Sequence, residues 1–196
     1  MELREAIHKR RMVRNFADKP VSSETIDRIL ELARHAPSAG FTQGQSFIVV
    51  ARPELKQAIA ATCQEEEYVA DGFDPFISKA PVLLIPCTSE AAYHRRYQES
   101  DKLEADGSET IWPVPYWFMD IGCVVMLALL AAVDEGLAGA FVGSKDLDAL
   151  RKLLNIPAEV TPVGVIAIGY GAPDVPSPSL KRGRKLQSEY IHHENW

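Results

Sequence analysis

The sequence predicts a single α+β domain that spans residues 1–196. Its length corresponds to one domain at roughly 150 residues each, and its 46% hydrophobic and 24% charged residues are typical of a globular protein. Helical periodicity dominates, and only a few short apolar runs have the length and β-branched content of strands. Because these elements do not alternate regularly, a doubly wound parallel sheet is not required. The composition excludes a disordered tail, a collagen-like repeat and a coiled coil.

The predicted helices follow from apolar spacing and from their terminal residues. Between Ile26 and Ala33 apolar residues recur at i, i+3, i+4 and i+7, Ser22–Glu24 provides a start signal, and Pro37 ends the segment. Pro53 lies in the first turn of the next helix, where proline is tolerated. Gly136 follows a long apolar helix at the position of a C-terminal capping glycine. The predicted helices are residues 2–10, 22–36, 53–66, 116–135 and 146–154.

The predicted strands are short apolar segments bounded by turn residues, as Phe47–Val50 illustrates. Residues 88–115, which connect the second strand to the long helix, are polar and irregular. A connection of this length is typical of a lid or a binding loop with helical pieces. The sequence does not decide whether it opens and closes. The predicted strands are residues 47–50, 82–86, 138–142 and 162–168.

The most apolar segment, Tyr116–Val133, is about as long as a short membrane span. It contains Asp120 and Gly122 and has no basic flank, so a buried core or interface helix is favoured over a membrane span. We expect Asp120 to bond with a basic side chain or with backbone N–H groups, because an unpaired buried carboxylate is costly. Residues 1–7 carry charges and no apolar run, which is not typical of a signal peptide.

Charge and cysteine usage narrow the function classes. Lys plus Arg number 21 and Asp plus Glu 27, so the net charge of −6 disfavours nucleic-acid binding. Cys63, Cys87 and Cys123 are widely spaced and form no Cys-x-x-Cys pair, which predicts a reducing, cytoplasmic location and no zinc site. A single catalytic cysteine is the minor alternative. The adjacent His192–His193 would face opposite sides of a strand, which favours a surface arm over a metal site.

Two basic clusters lie at opposite ends of this acidic chain, within residues 9–14 and residues 181–185. Arginine suits phosphate because its planar guanidinium donates two parallel hydrogen bonds. Arg182 and Arg184 would share one face of an extended segment. The clusters therefore represent either one phosphate site assembled from both chain ends or two solvated patches.

The 88–115 connection and the start of the long helix are rich in aromatic residues. We interpret His94–Arg96 as solvated loop charges rather than as contacts to a nicotinamide phosphate or an acidic substrate. The aromatic residues either line a pocket for an aromatic substrate or pack in the core or an interface: Tyr93, Tyr97, Trp112, Tyr116 and Trp117.

Four segments, in the same order along the chain, resemble motifs of the nitroreductase family of FMN-dependent oxidoreductases. Lys9–Phe16 resembles the family's opening Arg-Arg-Ser-x-Arg-x-Phe, and Ala36–Gln43 resembles Ala-Pro-Ser-x-x-Asn-x-Gln. Gly136–Gly143 is similar to the Gly-Leu-Gly segment before the flavin-edge loop. The fourth segment is Arg182-x-Arg184, followed by an expected strand at Tyr190–His192.

The resemblance implies a sandwich fold in which helices flank a central, mostly antiparallel sheet, with an extended C-terminal arm. It implies a homodimer with FMN at the subunit interface and the long apolar helix within that interface. The implied activity is an FMN-dependent NAD(P)H oxidoreductase. Hydride would pass from NADPH or NADH through flavin N5 to a small acceptor such as a nitroaromatic or a quinone.

The resemblance also implies roles for individual residues. Arg10, Arg182 and Arg184 would hold the FMN phosphate, and Arg14 would lie near the flavin pyrimidine, where positive charge stabilises the reduced flavin. Residues 37–39 would come from the partner subunit, and the backbone of residues 142–144 would lie along the opposite flavin edge, close to N5. The implied FMN-binding residues are Arg10, Arg11, Met12, Arg14, Pro37, Ser38, Ala39, Gly40, Gln43, Phe141, Val142, Gly143, Ser144, Arg182 and Arg184.

Three departures from the family pattern leave alternatives open. Met12 stands where the family often has Ser, Phe41 replaces Asn, and Gly44–Gln45 replaces Pro-Trp. The flavin pyrimidine is therefore expected to be bound differently. The alternatives are a flavin-binding or storage protein, a relative that performs ene reduction, dehalogenation or flavin fragmentation, and a nucleic-acid module that uses the basic ends. The sequence chooses neither between NADH and NADPH nor among acceptors.

Overall fold

A computed structural model describes residues 1–196 and confirms the α+β sandwich. The central sheet has the order β1-β2-β5-β3, with β4 paired to β2, and every pair among these five strands is antiparallel. The strands are β1 Gln45–Val50, β2 Val82–Thr88, β3 Ala138–Val142, β4 Thr161–Pro162 and β5 Val165–Gly169. The helices are α1 Leu3–Lys9, α2 Ser23–Ala33, α3 Pro53–Thr62, α4 Glu65–Ala70, α5 Phe76–Lys79, α6 Glu90–Tyr97, α7 Tyr116–Asp134 and α8 Leu147–Leu153.

The two central strands, β2 and β5, are buried along their whole length because helices cover both faces of the sheet. This explains why residues 82–87 are apolar without alternation, unlike an antiparallel strand that has one face in water. Helices α3, α5 and α8 contribute to the apolar cluster on one face, whereas α2 and α7 form the cluster on the other. The core members include Ile59, Ile77, Leu83 and Ile85 on the first face and Ile29, Leu84, Ile121 and Ile166 on the second.

The segment after α1 runs along the β3 edge of the sheet and fixes the first basic cluster there. Met12 forms a parallel bridge with Gly139, and the backbone N–H of Val13 donates to the Gly139 carbonyl at 3.1 Å. Further along, Phe16 bridges to Gly171 in antiparallel orientation. Because Met12 pairs with β3 and Phe16 pairs with the segment that follows β5, the backbone position of Arg14 between them is fixed.

Helix α7 confirms the expected core helix on one of its faces. By length and composition it could cross a membrane, and half of its most apolar window is buried inside this domain. It packs against α2 and contributes Ile121 and Leu129 to the core. Its other face exposes large apolar side chains, namely Phe118, Met119 and Met126.

The structure corrects several predicted elements. The helix predicted over 53–66 is two helices, because Gln64 adopts a left-handed conformation with φ +54°. The helical pieces expected in the 88–115 connection are confirmed by α6, which occupies residues 90–97, with the Ser89 side chain accepting from the Ala92 N–H at its start. The strand predicted over 162–168 is interrupted at Gly164. The strand expected at Tyr190–His192 is wrong, because that segment pairs with no other strand.

We expect Gly164→Ala to lower the free energy of unfolding by about 2 kcal/mol or more. Gly164 has φ +150°, which a side chain rarely adopts, and an added Cβ would lie 2.6 Å from the Val142 carbonyl oxygen. Urea denaturation followed by circular dichroism measures the change. Gly107→Ala is the matched control, because Gly107 also has a positive φ (+83°) but open space around it. Equal losses in the two variants would contradict the steric explanation.

Candidate functional site

The first basic cluster contains buried cationic donors that no group of the chain accepts. Arg10 Nη1 and Arg14 Nε are both buried and without a hydrogen-bond partner. The Arg14 guanidinium carbon lies 5.0 Å from the centroid of the Phe73 ring, and its backbone N–H donates to Asp174 Oδ2 at 2.9 Å. Because buried polar atoms are nearly always bonded, these two nitrogens are matched to an acceptor from outside the chain.

Met12 takes part in this segment through its backbone and its packing. Its Sδ lies 3.4 Å from the backbone nitrogen of Phe141, as the acceptor of that N–H, and the side chain packs against the α2–α7 core cluster. The thioether therefore lies against β3 and supplies no hydroxyl of the kind that serine would provide. Arg11 next to it is exposed.

The loop that follows β3 is anchored from behind. The Thr62 carbonyl at the end of α3 accepts from Ser144 Oγ at 3.1 Å, from the Lys145 N–H at 3.0 Å and from the Asp146 N–H at 3.3 Å. The backbone N–H groups of Gly143 and Ser144 donate to no group of the chain. The Ser144 hydroxyl thus serves as an anchor, while two backbone donors remain available beside the first basic cluster.

The second group of predicted residues forms a strained turn before β1. Gly40, Phe41 and Gln43 all have left-handed backbones, with φ of +60°, +54° and +54°. For the two residues other than glycine this conformation costs about 1–2 kcal/mol each. Within the turn, the Gln43 N–H donates to Ser38 Oγ at 2.9 Å, whereas the Phe41 side chain is 75% exposed. Such strain persists only where surrounding contacts fix the backbone, and it is common at ligand sites.

Asp120 in α7 provides one of these contacts and confirms the expected backbone partner. Its Oδ2 accepts from the Ala39 N–H at 2.8 Å and from the Tyr93 hydroxyl at 2.7 Å. The Tyr93 hydroxyl in turn accepts from Gln45 Nε2 at 2.8 Å. Burial, together with the hydrogen bond to the Asp120 carboxylate, raises the pKa of Tyr93 well above its ordinary value, so its proton stays in place.

A single chain does not bring all predicted site residues together. Arg10, Arg14, Gly143 and Ser144 lie at the β3 edge of the sheet, and the turn at residues 37–43 precedes β1 at the opposite edge. Strands β2 and β5 separate the two groups. The resemblance assigned the turn to the partner subunit, and the strand order agrees with a site shared in this way.

Arg182 and Arg184 form a third group, in the C-terminal arm, by which we mean residues 175–196. Every hydrogen bond of the arm joins two of its own residues, and residues 178–196 are all exposed. Neither arginine forms an ion pair or hydrogen bond with the first basic cluster. The predicted phosphate site is therefore not assembled within one chain. The arm also exposes Leu180, Leu186, Tyr190 and Trp196.

The segment of residues 98–115, which we term the strap, is held against α6. Glu109 Oε1 lies 2.5 Å from His94 Nδ1 and accepts from Trp112 Nε1 at 3.0 Å. The expectation that His94 is a solvated loop charge is therefore wrong. Arg96 is also bonded, to Asp101 of the strap and to the Gly40 carbonyl. These contacts arise because α6, a helical piece of the 88–115 connection whose position the sequence did not specify, carries both side chains.

The aromatic residues of this region pack on one another. Tyr93 is fully buried, and Trp112 lies edge-on to it with ring centroids 6.1 Å apart. Tyr97 and Trp112 are closer still, at 4.4 Å. The core-packing alternative is thus supported for Tyr93 and Trp117, which is also buried, whereas the other aromatic side chains retain partial exposure.

We expect the strap to be protected best between about pH 4.5 and pH 6.5. The hydrogen bond to Glu109 raises the pKa of His94 above 6.5, so its stabilising contribution is lost as the pH rises through that raised value. The bonds from Trp112 and His94 lower the pKa of Glu109 from 4.5 to about 2, so its contribution is lost only as the pH falls towards about 2. Hydrogen-exchange protection factors of strap peptides measure both limits.

His94→Ala should remove the alkaline limit of strap protection, while His8→Ala is the control because His8 is exposed and remote from the strap. Protection factors that stay flat from pH 6 to pH 9 in the unsubstituted protein would contradict the role given to the His94–Glu109 pair.

With this geometry established, comparisons with known proteins define the class. The sequence profile of the nitroreductase family matches residues 7–170, which is most of the chain. The chain belongs to the nitroreductase family.

Individual relatives place the chain among flavoproteins of differing activities. It is 26% identical over 197 residues to the FMN reductase [NAD(P)H] of Bacillus subtilis, covering 100% of this chain and 74% of that protein. It is 26% identical over 202 residues to the iodotyrosine deiodinase of Nematostella vectensis, covering 92% and 71%. A crystal structure of oxidised iodotyrosine deiodinase bound to FMN and 3-iodo-L-tyrosine superposes with a TM-score of 0.74 at 22% identity, over 100% of both chains, and shows the shared fold.

Proposed function

We propose that this protein is an FMN-dependent oxidoreductase that uses NADPH or NADH as electron donor. The observation that carries the proposal is a group of donors without acceptors at one edge of the sheet. Arg10 Nη1 and Arg14 Nε are buried there without a hydrogen-bond partner, and the backbone N–H groups of Gly143 and Ser144 at the same edge donate to no group of the chain. A ligand with an anionic phosphate and a planar ring edge rich in acceptors satisfies both sets. FMN has both features, and family membership supports the assignment.

The chain's own residues bind and polarise such a ligand. Arg10 neutralises the phosphate, and Arg14 places positive charge beside the ring, where it favours the electron-rich state. The Gly143 and Ser144 N–H groups are preorganised, because the Thr62 carbonyl holds the loop behind them. When bound, FMN supplies the two-electron transfer, and the protein supplies binding, orientation and electrostatics.

The proposed assembly is a homodimer with FMN at the interface. Three observations support it: the predicted residues lie at two opposite sheet edges, α7 exposes Phe118, Met119 and Met126, and the arm makes no hydrogen bond to its own domain. An exposed apolar helix face and an apolar arm are both typical of protein interfaces. Light scattering coupled to size exclusion tests the assembly, and a monomeric holoprotein would contradict it.

The proposed acceptor is a small aromatic molecule such as a nitroaromatic or a quinone. A partly exposed aromatic pair beside the strained turn supports an aromatic substrate, since the Tyr97 ring lies against Gly40 and packs on Trp112 with ring centroids 4.4 Å apart. The deiodinase relatives make dehalogenation of an aromatic ring the second candidate. A panel of a nitroaromatic, a quinone and iodotyrosine, each offered to the reduced holoprotein, distinguishes these activities.

The first experiment is the visible spectrum of the purified protein reconstituted with FMN, followed by NADPH or NADH without oxygen. Flavin bands that bleach on addition of one donor support the proposed activity and identify that donor. Bands that persist with both donors support a flavin-binding or storage protein instead. Failure to retain FMN would contradict the proposal, and it would place the cause at the departures of Met12 and Phe41 from the family pattern.

We further propose a cytoplasmic location. The three cysteines are unpaired, and burial raises the pKa values of the Cys63 and Cys87 thiols to about 11, so neither is a reactive thiolate at neutral pH. Free thiols are usual in a reducing compartment. Fractionation of the native host, with immunodetection of the chain in soluble and membrane fractions, tests this location.

A further inference from the structure

The strained turn at residues 37–43 is held from outside at two backbone positions that follow one another. The Ala39 N–H donates to Asp120 Oδ2 at 2.8 Å, and the Gly40 carbonyl accepts from Arg96 Nε at 3.0 Å. The neighbouring ring of Tyr97 is so close that a Cβ on Gly40 would lie 2.7 Å from it. Two helices therefore fix the shape of the turn: α7 through Asp120, and α6 through Arg96 and Tyr97.

Asp120 Oδ2 is the point where these elements meet. The same oxygen that accepts from Ala39 accepts from the Tyr93 hydroxyl at 2.7 Å, and Tyr93 belongs to α6. Gln45 Nε2, at the start of β1, donates to that hydroxyl at 2.8 Å. The carboxylate thus joins α7, α6 and both ends of the turn in one chain of hydrogen bonds. Asp120 is 8% exposed, so water competes little for this oxygen.

We propose that Asp120, with its carboxylate oriented by the Tyr93 hydroxyl, is a positioning residue for the bound flavin that acts through its bond to the Ala39 N–H of the turn at residues 37–43. This inference rests on the proposed function, which places that turn against FMN. Asp120 itself bonds only to Ala39 and Tyr93, so it acts through the turn and not on the ligand. Without it, a turn with three left-handed residues in four positions loses the contact that fixes the Ala39 N–H.

The arrangement also links the turn to the strap. Helix α6 holds the turn directly through Arg96, and indirectly through Tyr93, which bonds to Asp120. It holds the strap through His94 bonded to Glu109 and Arg96 bonded to Asp101. Arg96 touches both at once. Because one rigid helix carries all these contacts, a ligand that orders the turn also orders the strap, and the effect is reciprocal.

The test removes one hydroxyl at a time. Tyr93→Phe keeps the buried ring and deletes the bond to Asp120, and its matched control is Tyr68→Phe, because the Tyr68 hydroxyl makes no hydrogen bond. Asp120→Ala deletes the acceptor, whereas Asp120→Asn retains one acceptor oxygen and serves as the conservative rescue. Asp134→Asn, on the same helix and exposed, controls for the loss of an acidic charge.

Three measurements are made on each variant. The first is hydrogen exchange in the FMN-free protein, followed in peptides that cover residues 37–44 and 98–112. The second is the FMN dissociation constant, obtained by fluorescence titration. The third is the visible circular dichroism of bound FMN, which reports the surroundings of the flavin ring. We expect Tyr93→Phe to accelerate exchange in both peptides about tenfold and to raise the dissociation constant about tenfold. Asp120→Ala should increase the exchange rates and the dissociation constant more than Tyr93→Phe does. Asp120→Asn should increase them less, and its FMN dichroism should be close to that of the unsubstituted protein.

The outcomes separate this inference from the proposed function. Wild-type exchange, affinity and dichroism in Tyr93→Phe would overturn the positioning role while FMN binding stands. Exchange that rises uniformly over the whole chain, with unchanged dichroism, would show a purely structural role and would also overturn it. If the unsubstituted protein fails to bind FMN, the proposed function fails and the positioning role fails with it. Localised exchange in the FMN-free variants would then still establish the hydrogen-bond chain.

Discussion

Arg10→Ala should weaken FMN binding by between about tenfold and about a hundredfold. A hydrogen bond to a charged group contributes about 1.5–3 kcal/mol, and each 1.4 kcal/mol is a factor of ten in affinity. In the folded chain, Arg10 Nη1 is buried and finds no acceptor, so its desolvation is already complete before the ligand arrives. Fluorescence titration of the FMN-free protein measures the loss.

The stability of the Arg10→Ala variant should rise or stay constant while the affinity falls. Removal of one guanidinium nitrogen that is buried without an acceptor relieves a penalty in the FMN-free protein. Arg4→Ala is the control for loss of a positive charge, because Arg4 lies exposed on α1, the helix that ends just before Arg10. Arg10→Lys keeps the charge but loses the planar pair of donors, and we expect an intermediate affinity. An unchanged dissociation constant in Arg10→Ala would show that the phosphate lies elsewhere.

The first half of this candidate site was accessible from sequence because its residues are close together in the chain. Arg10 and Arg14 flank Met12, and the pairing of Met12 with Gly139 brings them to β3 through ordinary backbone hydrogen bonds. The resemblance in residues 9–16 and 136–143 assigned both segments to one FMN site, and the structure adds their direct contact through Met12 and Gly139. No side-chain geometry was needed for that step.

The second half depends on contacts between residues far apart in sequence, and these the sequence could not specify. The expectation for Asp120 was a basic side chain or backbone N–H groups, and the structure supplies the Ala39 N–H together with the Tyr93 hydroxyl. Helical pieces were expected in the 88–115 connection, but the sequence did not locate α6, because residues 90–97 have little apolar periodicity and the helix is stabilised by tertiary contacts such as the buried Tyr93.

Local backbone geometry accounts for one of the remaining differences in the fold. Gln64 carries no signal for a left-handed conformation, yet it ends the continuous helix because the following Glu65 is buried and accepts from the N–H groups of Ile77 and Ser78. The strand expected at Tyr190–His192 is absent because of a missing long-range contact and not because of local backbone geometry. A strand requires a partner, and within the single chain residues 190–192 pair with neither of the edge strands, β1 and β3.

Replacing both Arg182 and Arg184 by alanine should weaken FMN binding about a hundredfold or more while the domain remains folded. The arm that carries them has no hydrogen bond to its own domain, so the two side chains support no part of the fold. In the proposed homodimer the two arginines bind the FMN phosphate from a position that they do not reach within a single chain. Their joint replacement therefore removes two charge-assisted hydrogen bonds at once. FMN titration together with thermal unfolding measures both parts of the prediction.

The matched control for this pair is Lys181→Ala with Lys185→Ala, which removes the same charge from the same exposed segment. A general electrostatic attraction of the basic arm for an anion would weaken binding equally in both double variants, and the weakening would vanish at high salt. A specific grip affects only the arginine pair and persists in salt, because guanidinium forks and ammonium groups present donors differently. If the arginine variant and the unsubstituted protein bind FMN with equal affinity, the phosphate is bound by Arg10 and not by the arm. The role of the arm would then be limited to apolar contacts through Leu180, Leu186 and Tyr190.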